Sequence, residues 1–159
     1  MKNNDLSNNT IYPNQLLDVP TTSKSGQAKL PSASTVIAHS TKDVDLLARL
    51  ITAEASGESP NAMLSVGAVV VNRVQSSLFP NNISEVINEK SDGYYQFTPV
   101  KNGMINKVAS KAAINAASQA LKGTDPTNGA LYFYDKSVSN KWLTSKPVAT
   151  SVGKLTFAF

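Results

Sequence analysis

The stretch Pro60–Gln75 narrows the fold more than any other part of the chain. Met63, Leu64, Val66, Ala68, Val69, Val70 and Val71 make it apolar on nearly every side of a helical wheel. A helix of that kind has no face to give to water and belongs at the centre of a domain. The valines also suit a strand, but an unbroken run of about sixteen residues is the length of a helix. Ser59 and Pro60 supply an N-cap and a proline at the first helical position. The remaining elements must pack around this segment.

Those elements read as mostly helical. Thr41 or Asp43 can cap a helix through Val44–Ala55, where Val44, Leu47, Ile51 and Ala55 share one stripe with Leu50 beside it. Asp45 and Arg49 fall opposite, and Gly57 can end the helix. A short helix is predicted around Ile83–Glu89 with Asn82 as its cap. Ser91–Asn106, rich in Gly, Pro and aromatics, reads as an ordered loop. Lys107–Lys122 reads as an alanine-rich helix stopped by Gly123. Asp125–Gly129 is a turn signal, Leu131–Tyr134 looks extended, and Leu155–Phe159 alternates like a terminal strand. The predicted class is α+β, mainly helical, with a small β-sheet.

Residues 1–42 differ in kind. They are rich in Ser, Thr and Asn, hold one aromatic (Tyr12), and show no sustained period. Such a stretch cannot bury enough apolar surface to offset its ordering entropy, so 1–42 reads as a disordered or linker-like arm and 43–159 as the folded domain. The start MKNNDLSNNTIYPNQ has no apolar run of the signal-peptide type. No stretch has the ~18 apolar residues of a membrane span.

Composition limits the chemistry. The chain of 159 residues is 41% apolar, enough for a core, yet has no cysteine and one histidine. A thiolate nucleophile, a disulfide scaffold and a multi-histidine metal site are thereby excluded. Any Ser-His-Asp system would need His39, which lies in the polar arm. The net charge of +4 comes from 15 basic and 11 acidic residues with no basic run. That argues against nucleic acid and suits a polyanionic target such as bacterial cell wall. Carboxylate or hydroxyl chemistry survives.

One carboxylate is out of place. Glu54 falls between Leu47 and Leu50 on the wheel, at the edge of the apolar stripe. A glutamate turned toward a core or cleft is desolvated in its charged form, its pKa rises, and it becomes a candidate general acid. A helix-end glutamate can also reach water or pair with Arg49. Glu58 follows four positions on, but Gly57 interrupts the helix between them. Aromatics cluster at Tyr94, Tyr95 and Phe97, and again at Tyr132 and Tyr134, with Trp142 nearby. With the amides Gln96 and Asn102 they suit a cleft in which rings stack on sugar faces and amides bond hydroxyl and acetamido groups. A satellite aromatic core would use the same residues.

These segments resemble a known family. Asp43–Arg49, Ala53–Glu58, Val66–Val74, Phe79-Pro80, Tyr95–Val100, Asp125–Tyr132, Trp142 and Gly153 match the SleB/CwlJ-type cell-wall hydrolase catalytic domain in order and spacing. The likeness is nearer to the SleB branch of spore cortex-lytic enzymes, since the CwlJ branch carries cysteines. The resemblance implies a lysozyme-like fold related to lytic transglycosylases, acting on peptidoglycan glycan strands. It places the family's catalytic glutamate on Glu54 and its Gln-Phe motif on Gln96 and Phe97. Tyr95, Asn102, Tyr132, Tyr134, Trp142 and Glu58 are the further candidates for substrate binding.

The expected reaction is lytic transglycosylation of the MurNAc–GlcNAc glycosidic bond in spore cortex during germination, with Glu54 acting first as acid and then as base, without metal or cofactor. The expected location is cell wall or spore cortex and coat. The expected state is a monomer, with a spore accessory protein as a further partner. A hydrolysing muramidase of vegetative wall or phage origin would need a second carboxylate, for which Glu58 and Asp92 are the candidates. A non-catalytic peptidoglycan-binding module is the rival from another class.

Overall fold

The apolar segment is helix α2 (Pro60–Gln75) in the computed structural model, which describes residues 37–159. Ser59 Oγ accepts the Ala62 N–H at 3.2 Å, and Pro60 occupies the first turn. Ala62 through Val71 are all buried. Packed around α2 are α1 (Thr41–Ala55), α3 (Ile83–Asn88) and α5 (Lys111–Leu121). Gly67 allows the closest approach. A Cβ there would lie 3.0 Å from Ile51 Cδ1 of α1 and 3.1 Å from Ala120 Cβ of α5.

Helix α1 begins earlier than its apolar stripe, because Ser40 and not Thr41 or Asp43 is the cap. Ser40 Oγ accepts the Asp43 N–H at 3.2 Å, and the Ser40 N–H donates to Asp43 Oδ2 at 2.7 Å. This reciprocal pair satisfies two otherwise orphaned donors. Ile37 also packs against the core. The remainder of the predicted arm, 1–36, lies outside the described residues. His39 is exposed, with Nδ1 2.8 Å from the Ile37 carbonyl. Helix α5 starts at Lys111, four residues later than predicted. Ser110 caps it through the Ala113 N–H (3.1 Å), and the Ser110 N–H donates to Thr52 Oγ1 (3.0 Å).

The predicted loop 91–106 contains short elements. The strands β1 (Lys90–Ser91) and β2 (Tyr94–Tyr95) pair antiparallel around Asp92-Gly93, whose φ angles of 51° and 81° suit a tight hairpin. Helix α4 (Thr98–Lys101) and a 3₁₀ turn (Met104–Asn106) follow.

A three-stranded antiparallel sheet closes the domain, in the order β3 (Tyr132–Asp135), β5 (Leu155–Ala158), β4 (Val148–Val152). Tyr132 pairs with Ala158 and Asp135 with Leu155. The predicted terminal strand is thus the central one, and all four of its residues are buried. Strand β4 and helix α6 (Lys141–Thr144) escaped the sequence reading. Phe133 of β3 lies between Phe97 (6.3 Å between centroids) and Phe157 (6.1 Å), joining sheet to helical core.

The turn before β3 is held by Asp125. Its Oδ1 accepts the Thr127 N–H (2.7 Å) and hydroxyl (2.6 Å), and its Oδ2 accepts the Gly129 N–H (2.7 Å) and Asn72 Nδ2 (3.0 Å). Among the described residues, no helix is long and apolar enough to cross a membrane.

Candidate active site

Glu54 stands in the last turn of α1, and its place beside the apolar stripe aims it into an open cavity of about 340 Å³. Phe97, Phe133 and Leu155 supply apolar wall. Gln96, Thr98, Tyr134, Asp135 and Arg73 supply polar groups, and Val138 and Leu143 stand at the edge beyond β3. Arg49, the partner a surface glutamate would take, is engaged by Asp45 at 2.7 Å. Burial pushes the Glu54 carboxyl up from 4.5 to about 7, and no hydrogen bond or neighbouring charge opposes it. A carboxyl of this kind is protonated near neutral pH and still able to give up its proton.

Asp135 is the other carboxylate at this cavity, and its surroundings act in the opposite sense. It ends β3 in solvent. Hydrogen bonds from the Ser137 side chain and backbone N–H (2.8 Å to Oδ1) hold its pKa below the usual carboxylate range, with help from the Lys154 charge. Two carboxyl groups with pKa values driven apart can take different roles in one reaction.

Arg73 enters from the last turn of α2. Its Nε donates to the Leu131 carbonyl at 2.7 Å, tying α2 to the start of β3. The guanidinium carbon lies 4.8 Å from the Phe79 ring, 5.1 Å from Phe97 and 5.5 Å from Tyr132. Burial lowers its pKa, and Nη1 is buried without a hydrogen-bond partner. Arg73 organises the aromatic wall beside Glu54.

Of the residues singled out in the sequence, Glu54, Gln96, Phe97 and Tyr134 meet at the cavity. The others do not line it. Tyr95 is covered by Lys90, whose Nζ is 4.4 Å from the ring centroid. Asn102 Oδ1 accepts the Met104 N–H at 3.0 Å and shapes a turn. Tyr132 packs against Phe79 and Trp142. Trp142 stands exposed on α6, next in sequence to Leu143. Glu58 is pressed on the β4–β5 turn, where a Cβ at Gly153 would come within 2.5 Å of its Oε2. Asp92 sits in the β1–β2 turn. Neither Glu58 nor Asp92 is therefore placed as the second carboxylate.

Asp135 and Arg73 were missed. Arg73 carried a related signal, a charge on the otherwise apolar helix α2. Asp135 carried none, since the last residue of a short strand has no periodicity to violate. Among the described residues, no group of three or more His, Asp or Glu side chains is arranged to hold a metal.

The sequence profile of the Cell Wall Hydrolase family matches residues 57–158. A spore cortex-lytic enzyme of Bacillus cereus is 35% identical over 120 residues, which are 75% of this chain and 45% of that protein. The chain thus spans under half the length of that relative. The catalytic domain of the germination-specific lytic transglycosylase SleB from Bacillus anthracis superposes with a TM-score of 0.70 at 34% identity. The match covers 76% of this chain and 97% of that one. The catalytic domain of the Bacillus cereus SleB protein gives a TM-score of 0.69 at 32% identity, over 86% of this chain and all of that one. The resemblance first read from the motifs and the lysozyme-like fold it implied agree with these matches.

Proposed function

This chain belongs to the cell wall hydrolase family, and we propose that it cuts peptidoglycan glycan strands as a lytic transglycosylase, in spore cortex during germination. The observation that carries the proposal is Glu54, a carboxyl held near pKa 7 by burial alone in a cavity with both apolar wall and hydrogen-bonding groups. The family match begins at Gly57, just past Glu54. The role of Glu54 therefore rests on its geometry and on the resemblance of the segment around it.

The reaction needs a single group of this kind. Protonated Glu54 gives its proton to the glycosidic oxygen between N-acetylmuramic acid and N-acetylglucosamine, and the C1–O bond breaks. Positive charge develops at the muramic ring. The C6 hydroxyl of the same sugar attacks C1, its proton passes to the Glu54 carboxylate, and a 1,6-anhydro ring closes. The acid is regenerated and no water is consumed. In this reading Gln96 and Tyr134, which line the cavity, orient the sugar, and Phe133, backed by the buried Phe97, packs against it.

The test is mass spectrometry of soluble fragments released from purified cortex and vegetative peptidoglycan. Wild-type protein is expected to give anhydromuramic ends. Glu54→Gln keeps the shape, removes the proton, and is expected to lose roughly 10²–10⁴-fold in rate. Digestion by Glu54→Gln at the wild-type rate would sink the mechanism.

One observation favours a second reading. Asp135 shares the cavity and is held ionised. It could serve as the partner carboxylate of a hydrolysing muramidase. Reducing ends in place of anhydro ends would establish that outcome.

A further inference from the structure

We propose that Trp142, Tyr132 and Lys146 form a second glycan subsite outside the Glu54 cavity, one that grips a muramyl unit by its ring and by the carboxylate it carries. The proposal rests on the reading of the chain as a peptidoglycan enzyme and adds a specificity device to it. Trp142 is 59% exposed. Its indole nevertheless has a fixed setting, with its ring at 88° to Tyr132 and centroids 5.4 Å apart. An exposed indole seated edge-on against a second ring is a surface for the apolar face of a pyranose.

Lys146 makes the platform selective. Its Nζ lies 3.8 Å from the centroid of Tyr132 and 4.4 Å from that of Trp142. Cation–π attraction to two rings holds the ammonium in place. No carboxylate of the described residues pairs with it; the ion pair found among them is Arg49–Asp45. The rings leave the positive charge uncancelled, and an ammonium has three N–H groups to donate. The group that completes this arrangement is an anion beside a sugar ring. In a strand of alternating sugars only muramic acid provides it, as the lactyl carboxylate or through the peptide stem.

The platform is continuous with the cavity through two elements. On α6, Trp142 adjoins Leu143, which lines the cavity. On β3, Tyr132 lies two residues before Tyr134, which lines it as well. Two residues of strand span about 7 Å. A strand cut at Glu54 therefore has a path along β3 to the platform.

Co-sedimentation tests this without turnover, using Glu54→Gln protein so that the wall is not consumed. Three insoluble substrates separate the carboxylate sources. They are intact peptidoglycan, the same glycan stripped of peptides (lactyl carboxylates only), and stripped glycan with its carboxylates amidated. Adding Lys146→Ala is expected to weaken binding about two- to five-fold on carboxylate-bearing glycan. It should leave binding to amidated glycan unchanged, and Lys146→Arg should recover most of the loss. Trp142→Ala is expected to weaken binding to all three by about tenfold. Lactyl groups that bear a stem are amide-linked and uncharged, so an effect on intact peptidoglycan alone assigns the stem carboxylates, and one that appears on stripped glycan assigns the freed lactyl carboxylate. The proposal is overturned if Lys146→Ala binds all three as its parent does, or loses affinity equally for the amidated one. Failure of the wild type to release fragments would sink the catalytic reading and leave this result standing.

Discussion

As the proposed acid, Glu54 sets function and stability in opposition. Its folded-state pKa of about 7 lies above the ordinary value of 4.5, so the folded chain binds the proton more tightly than the unfolded chain does. Whatever stability this carboxyl allows is fully present below pH 4.5 and is lost as pH rises through 7. The full shift corresponds to about 3 kcal/mol. Glu54→Gln is therefore expected to be more stable than the wild type at pH 8, by up to that amount, and equal to it near pH 4. Urea melts at both values check this. Wild-type activity should fall as pH rises through 7, where the acid loses its proton. Asp135 offers a separate test. If it only shapes the Ser137 turn, Asp135→Asn will leave the ratio of anhydro to reducing ends untouched. If it acts as the partner carboxylate, the reducing-end fraction will fall. Mass spectrometry of the products distinguishes the two. At this scale the sequence exposed Glu54, because a charge beside an apolar stripe breaks a visible pattern. It could not expose Asp135, which becomes a candidate only because it lines the same cavity as Glu54.

Among the elements, long amphipathic or apolar helices were legible and short ones were not. Helices α1, α2, α3 and α5 follow from periodicity and caps, with errors of a few residues at Ser40 and Ser110. In both places a side-chain hydrogen bond sets the boundary, and apolar spacing is silent about it. The two-residue strands β1 and β2 and the four-residue helices α4 and α6 are shorter than any period they could display. Strand β4 exists because β5 offers it a second edge, through a ladder with an irregularity between Val148 and Thr150. The turn at Asp125–Gly129 was legible, and its contribution can be measured. Asp125→Ala removes the acceptor for two backbone N–H groups, the Thr127 hydroxyl and Asn72 Nδ2. With Thr127 fully buried, the expected loss is about 3 kcal/mol. Thermal or denaturant unfolding reads it directly.

For the whole molecule, the helices around α2 and the sheet against them make one core that reaches from Ile37 to Ala158. A chain beginning at Ile37 is accordingly expected to unfold in one cooperative step and to keep the wild-type rate on soluble glycan fragments. Calorimetry and product release of the truncated and full chains check this. The amino-acid sequence by itself determined the class of fold, the central helix and the family, and it singled out Glu54 as the candidate acid. These are properties of composition, periodicity and motif order, which are read along the chain without knowing which distant segments meet. The tertiary structure alone decided which of the marked residues face one cavity. It left Tyr95 and Asn102 in local contacts, set Glu58 against the distant Gly153, packed Tyr132 edge-on to Trp142, and brought Arg73 and Asp135 to the cavity wall. The physical reason is that a cavity is a meeting of distant segments. Glu54 ends a helix, Gln96 follows a hairpin and Asp135 ends a strand, and only the packing of Phe97, Phe133 and Phe157 fixes how these three ends face one another.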